Sequence, residues 1–174
     1  MKLNKPTVGP IVGYTSEDQS RIWLRGAFQG DNETYRRCFG VIQYKESSSK
    51  SWSNHITNKL SPNFDMTGVF PIVNLKPETE YTYRAGWAYA EAELEDISNI
   101  EVHDWENAIT GKFQTASKNK NKTRSFAVGS CRYILKLFGG KFFDDRGDKV
   151  FRSIREQTQK NRPIDGGCAE FCVT

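Results

Sequence analysis

The sequence predicts a mainly β protein. A β-sandwich spans residues 1–116, a polar linker 117–124, and the first strand and helix of an incomplete α/β region 125–174. Three observations predict this. Up to about residue 116, short runs of alternating or continuous apolar residues are separated by turn-forming clusters, the pattern of an antiparallel sandwich. No stretch of that half holds a helical period for any useful length. Past ASKNKNKTR (116–124) the texture changes: the strand-like SFAVGS (125–130) is followed by Val150, Phe151 and Ile154 at helical spacing.

The strands follow in order. VGPIVGY (8–14) runs into the polar turn TSEDQS, and SRIWLRG (20–26) sets Ile22 and Leu24 against Arg21, Trp23 and Arg25. The GDNET turn leads to RRCFGVIQYK (36–45), and a short strand is expected around Trp52 after a Ser/Lys turn. In GVFPIVNL (68–75), Pro71 lacks the N–H a central strand needs, so this strand belongs at an edge or a bulge. EYTYRAGWAYA (80–90) puts Tyr81, Tyr83, Ala85 and Trp87 on one face and Arg84 on the other, and TGKFQT (110–115) closes the series. In the second region Asp148 is the expected N-cap of a helix carrying Arg152 and Arg155 on its polar side. "RPID" then leads towards another strand, as in the opening of an α/β domain.

Composition narrows the class. At 174 residues the chain holds one ordinary domain, or a small domain and part of another. Hydrophobic residues make up 37% and charged residues 26%, but 13% aromatic content argues against disorder. No window is apolar enough for a transmembrane helix. MKLNKPTVGP has no apolar core of a signal peptide, so the chain as it stands is expected in the cytoplasm, unless a leader lies outside it. Net charge is +4, and its distribution matters more: residues 91–106 hold seven acidic residues and no Lys or Arg, whereas KNKNKTR (118–124) holds four basic ones. Both read as solvated segments. The basic run lacks the interleaved aromatics of a nucleic-acid tract, so no nucleic-acid partner is expected. Cys38, Cys131, Cys168 and Cys172 form no CxxC pair and no zinc spacing. His55 and His103 read as solvated histidines.

LKPETEYTYR (75–84) resembles the turn into strand F of fibronectin-type-III-like sandwiches, with Leu75, Pro77, Thr79, Tyr81 and Tyr83 in L-x-P-x-T-x-Y-x-Y order. In such folds one tyrosine turns its hydroxyl back onto nearby backbone while its ring fills the core, and Tyr81 is the candidate. The ordered set GPIVGYTSEDQSRIWLRG, LKPETEYTYRAG, TGKFQTA, RSFAVGSCRY and DKVFRSI resembles the PhoD-like alkaline phosphatase/phosphodiesterase family. The resemblance implies an N-terminal β-sandwich followed by a calcineurin-like metallophosphatase domain, hydrolysing phosphate esters with iron and calcium, often in exported proteins. It also implies that Cys131, at the end of the first strand of that domain, is a metal ligand. A thiolate is a strong soft donor, and bound metal activates water at neutral pH. Arg132 is a candidate to offer charge to a phosphate.

Past Asp165 the family pattern stops: GGCAEFCVT carries no Gly-Asp motif, and no histidine follows Cys131. The chain is therefore expected to be an N-terminal portion with no complete catalytic set, inactive alone and a doubtful metal binder. The alternative is a stand-alone fibronectin-like binding module, with Trp52, Trp105 and the acidic segment 91–106 as its surface.

Overall fold

The computed structural model describes residues 1–27, 38–90, 101–119, 121, 127–129, 135–137, 142–144, 146–160 and 171–173. The chain divides into two compact units, Met1–Lys120 and Asn121–Thr174.

The first unit is a two-sheet β-sandwich of fibronectin-III-like strand order. Its strands are β1 (Val8–Thr15), β2 (Ser20–Arg25), β3 (Cys38–Glu46), β4 (Ile56–Lys59), β5 (Thr67–Ile72), β6 (Glu80–Tyr89) and β7 (Ile109–Gln114). One sheet has the order β1-β2-β5 and the other β4-β3-β6-β7, and every pairing is antiparallel. The alternation in the sequence sets which face each strand buries. Ile22 and Leu24 of β2 are fully buried, while Arg21 is exposed. Tyr81, Tyr83, Ala85 and Trp87 of β6 all enter the core between the sheets, against Phe70 and Ile72 of β5 and Ile42 of β3. Pro71 stands on β5, an edge strand, as its missing N–H requires. The strand expected around Trp52 lies further along, at Ile56–Lys59. Residues 47–55 instead form a loop whose Ser53 Oγ accepts from Tyr44 N at 3.2 Å and so leaves the ladder.

A second, smaller cluster covers the outer face of the four-stranded sheet, where Leu3, Val41 and Ala88 are buried with Val102 and Trp105 packed on them. Asn4 and Trp87 exchange backbone hydrogen bonds of 2.7 and 3.0 Å. Segment 1–5 thereby continues the edge of β6 beyond its pairing with β7.

The L-x-P-x-T-x-Y-x-Y stretch folds as a tyrosine corner. The Tyr81 hydroxyl accepts the Lys76 N–H at 2.9 Å, and its ring stacks on Phe113 with centroids 5.4 Å apart. Leu75 is buried, and Thr115 locks the turn: its hydroxyl accepts Thr79 N–H at 2.9 Å and donates to the Lys76 carbonyl at 2.6 Å. Tyr81→Phe leaves the half-buried Lys76 N–H without its acceptor. It is expected to cost about 1–2 kcal/mol in urea denaturation with the fold retained; an unchanged midpoint would show that the corner contributes nothing.

In the second unit, β8 (Ala127–Gly129) pairs in parallel with β11 (Phe171–Val173). Between them lie an antiparallel hairpin, β9 (Leu135–Leu137) with β10 (Phe142–Asp144), and the helix α1 (Arg146–Lys160). One expectation changes. The helix starts at Arg146, so Asp148 lies inside its first turn and is not the N-cap. Within GGCAEFCVT, Phe171–Val173 is the strand that partners β8. Parallel strands need a crossover between them, commonly a helix. The described elements β8, α1 and β11 have that βαβ form.

Candidate functional site

Cys131 and Arg132, the candidate metal ligand and phosphate contact, lie outside the described residues; in sequence Cys131 falls two residues past Gly129, the last residue of β8. Among the described residues no group of three or more His, Cys, Asp or Glu could hold a metal ion. A two-metal centre needs several ligands from different elements, and the described residues supply no such group. Cys38 is buried in the sandwich core, its thiol 3.9 Å from the Ala27 carbonyl.

The two histidines differ. His103 is exposed, its Nε2 3.5 Å from the Glu101 carboxylate. His55 is not the fully solvated side chain expected. It is half-buried, and its Nε2 is shut off from solvent with no hydrogen-bond partner among the described residues. Thr57 Oγ1, two residues along, is in the same state.

The most organised polar constellation lies on the outer face of the four-stranded sheet. β3 and β6 pair with Gln43 opposite Arg84, so both side chains rise from the same face. Arg84 Nε and Nη2 donate to Gln43 Oε1 at 3.0 and 2.5 Å. Two loops then close on the guanidinium. Trp52, from the β3–β4 loop, lies with its ring centroid 4.4 Å from Arg84 Cζ, and Trp105, from the segment before β7, lies at 4.1 Å. Both distances fall well inside cation–π range. Lys45 adds a second cation 5.1 Å from the Trp52 centroid. Burial lowers the pKa of Arg84, the expected direction for a cation withdrawn from water. Gln43 Nε2 also donates to the Ser53 carbonyl at 3.0 Å, tying the β3–β4 loop to the sheet a second time. The sequence marked Trp52 and Trp105 as surface aromatics and put Arg84 on the face opposite the tyrosines; the structure brings all three into one stack. Residues 91–100 of the acidic segment lie outside the described residues.

No protein-family model matches the chain. No curated protein matches it either. Among solved structures it is similar to one of PhoD, at 16% identity and a TM-score of 0.47, over 69% of this chain and 21% of that one. It is also similar to the fibronectin type-III domain of human fibronectin type III domain containing protein 3, at 11% identity and a TM-score of 0.45, over 71% of this chain and 94% of that one. A third is the fn3 domain of human collagen alpha-1(XX) chain, at 15% identity and a TM-score of 0.39, over 70% and 94%. The chain spans 21% of the length of the PhoD structure. No helix among the described residues is long and apolar enough to cross a membrane. The strand order and pairing of the first unit make it a fibronectin-III-like sandwich on its own hydrogen bonds.

Proposed function

We propose that this chain is the N-terminal portion of a PhoD-like metal-dependent phosphatase/phosphodiesterase, with the sandwich as a structural module and the second unit as the opening of the catalytic sheet. The observation that carries this is the parallel pairing of β8 with β11, with α1 between them in sequence, directly after a fibronectin-III-like sandwich. Open α/β sheets bind ligands beyond the carboxyl ends of their strands. In sequence, Cys131 and Arg132 follow β8 at that end. In this proposal Cys131 is one ligand of the metal site, and the remaining ligands come from elsewhere in the enzyme. Arg132 is the weaker candidate, for contact with the phosphate.

The purified chain is expected to show no turnover of p-nitrophenyl phosphate or bis(p-nitrophenyl) phosphate with iron and calcium added. Metal-dependent hydrolysis by the pure chain would overturn the proposal that its catalytic set is incomplete. The lineage is tested separately on the DNA downstream of the Thr174 codon: a frame that encodes a Gly-Asp-x-x-Tyr motif and a histidine cluster supports it, and the lack of both in all three frames removes it.

A second reading, a stand-alone binding or interaction module, is favoured by the Trp52–Arg84–Trp105 stack, an organised surface that the phosphatase reading does not require. A specific ligand retained by residues 1–120 after limited proteolysis in KNKNKTR would favour the module.

A further inference from the structure

The two outer faces of the sandwich are finished differently. On the four-stranded sheet, Val102 and Trp105 pack over Leu3, Val41 and Ala88. On the three-stranded sheet the apolar side chains stay in water. Its register sets Ile11, Trp23 and Val69 side by side across all three strands, with Val8 opposite Arg25 on one side of that row and Arg21 opposite Pro71 on the other. Ile11 is 50% exposed, Val69 47%, Val8 45% and Val73, just past β5, 51%. Among the described residues of the first unit, every exposed large apolar side chain except Phe64 belongs to β1, to β5 or to Val73. Single apolar residues scattered over a surface need no explanation, but a contiguous row marks an interaction site.

We infer that this face docks an acidic protein segment, one that presents apolar side chains around a carboxylate. Trp23 is the central contact and Arg21 the partner of the carboxylate. The inference concerns the sandwich alone and does not rest on the phosphatase proposal.

Charge selects the occupant. VGPIVGYT, SRIWLR and TGVFPI carry two arginines and no aspartate or glutamate. Arg25 is neutralised by Asp65, its Nε and Nη2 donating to the carboxylate at 2.9 and 2.8 Å. Arg21 is exposed and forms no ion pair with the described residues. Water solvates it well, so it demands no partner, but it makes the charge beside the apolar row positive. A carboxylate next to apolar side chains is the complement of that face. Tryptophan and arginine are also the side chains that most often anchor an interface.

Size and charge argue against other occupants. Three strands about 4.8 Å apart, with about six residues rising about 3.3 Å each, give a face of roughly 300 Å². A standard stable interface buries about 800 Å² per partner, so the face suits a docked segment better than a second copy of this chain. An anionic membrane is held by clusters of about four to eight basic residues, and here Arg21 alone is uncompensated.

The test is an amide chemical-shift titration of the full chain with the peptide acetyl-Thr-Val-Glu-Phe-Thr-amide and its Gln and Lys counterparts. The Glu peptide is expected to shift the amides of residues 11–14, 21–25 and 69–73 saturably, with millimolar affinity. The Gln peptide is expected to bind about fivefold more weakly, the worth of a good exposed ion pair, and the Lys peptide more weakly still. Arg21→Gln is expected to remove the preference for Glu over Gln. Val69→Thr keeps the shape and strand preference of the side chain and is expected to weaken all three peptides. The inference is overturned if the Glu peptide leaves those amides unmoved, or if folded Arg21→Gln keeps the preference. It is overturned equally by a dimer in sedimentation equilibrium that Val69→Thr abolishes, which would give the face to a second copy. Cosedimentation with phosphatidylcholine/phosphatidylserine vesicles that Arg21→Gln prevents would give it to a lipid surface and overturn the inference too.

Discussion

Phe70→Ala is expected to destabilise the sandwich by about 3–5 kcal/mol, a large share of the about 5–15 kcal/mol typical of a domain. Phe70 is fully buried on β5, and its ring reaches across the interior to the opposite sheet. It fits there because two strands carry glycine where they face it. A Cβ on Gly40 would lie 2.4 Å from Phe70 Cζ, and one on Gly68 would lie 3.1 Å from Phe70 Cε2. The ring and the glycines thus form one packing unit, and truncating the ring leaves a cavity between the two sheets. A double-mutant cycle tests this coupling. Gly40→Ala in the native background overpacks the site and is expected to cost about 1–3 kcal/mol. In the Phe70→Ala background the clash is gone, and the same substitution is expected to be neutral or stabilising. Additive losses in urea denaturation would show that the glycine is not kept for the ring.

Arg84→Ala is expected to cost about 2–4 kcal/mol, as the sum of two cation–π contacts and the hydrogen bonds to Gln43. The loss also has a local signature. Trp52 and Trp105 come from different loops and both stack on Arg84, so without the guanidinium both are expected to loosen from the sheet. Their fluorescence should shift to the red and become more accessible to a soluble quencher, while the buried Trp87 stays protected. Arg84→Lys keeps the charge but not the flat two-faced group, and is expected to recover less than half of the stability. Full rescue by lysine would mean that charge alone, and not stacking, holds the loops.

The sandwich was legible because period-two alternation is a local property. Ile22 and Leu24 against Arg21, or Tyr81 and Tyr83 against Arg84, declare a buried face within a few residues, and a two-sheet core needs only such faces. The tyrosine corner was legible for the same reason, since its parts lie within Leu75–Tyr83 apart from Thr115. The Arg84 stack was not. Its rings sit on two loops far apart in sequence, and no periodicity links a loop tryptophan to a strand arginine; only the register of Gln43 opposite Arg84 and the course of both loops bring them together. The strand near Trp52 was displaced to Ile56–Lys59 because a run of serines hides where the ladder resumes. In the second unit the helix was visible from Val150, Phe151 and Ile154. The three-residue strands Leu135–Leu137 and Phe171–Val173 were not, because runs so short carry no alternation to read.

The pairing of the 1–5 segment with the far end of β6 bears on how the chain is made. Leu3 is fully buried, its N–H donates to the Asp104 carbonyl at 3.2 Å, and the Trp87 indole N–H donates to the Lys5 carbonyl at 3.0 Å. A ribosome adding about 5–20 residues per second supplies Asp104 roughly 5–20 s after Leu3. Until Trp87 and Ala88 are made, Asn4 lacks its backbone partner and Leu3 part of its cluster, although β1 and β2, joined by a tight turn, can already pair. Translation order and assembly order therefore run in opposite senses here. Segment 1–5 is made well before the residues it docks on, and in the nascent chain it stays open until then to whatever else in the cell recognises unpaired apolar peptide.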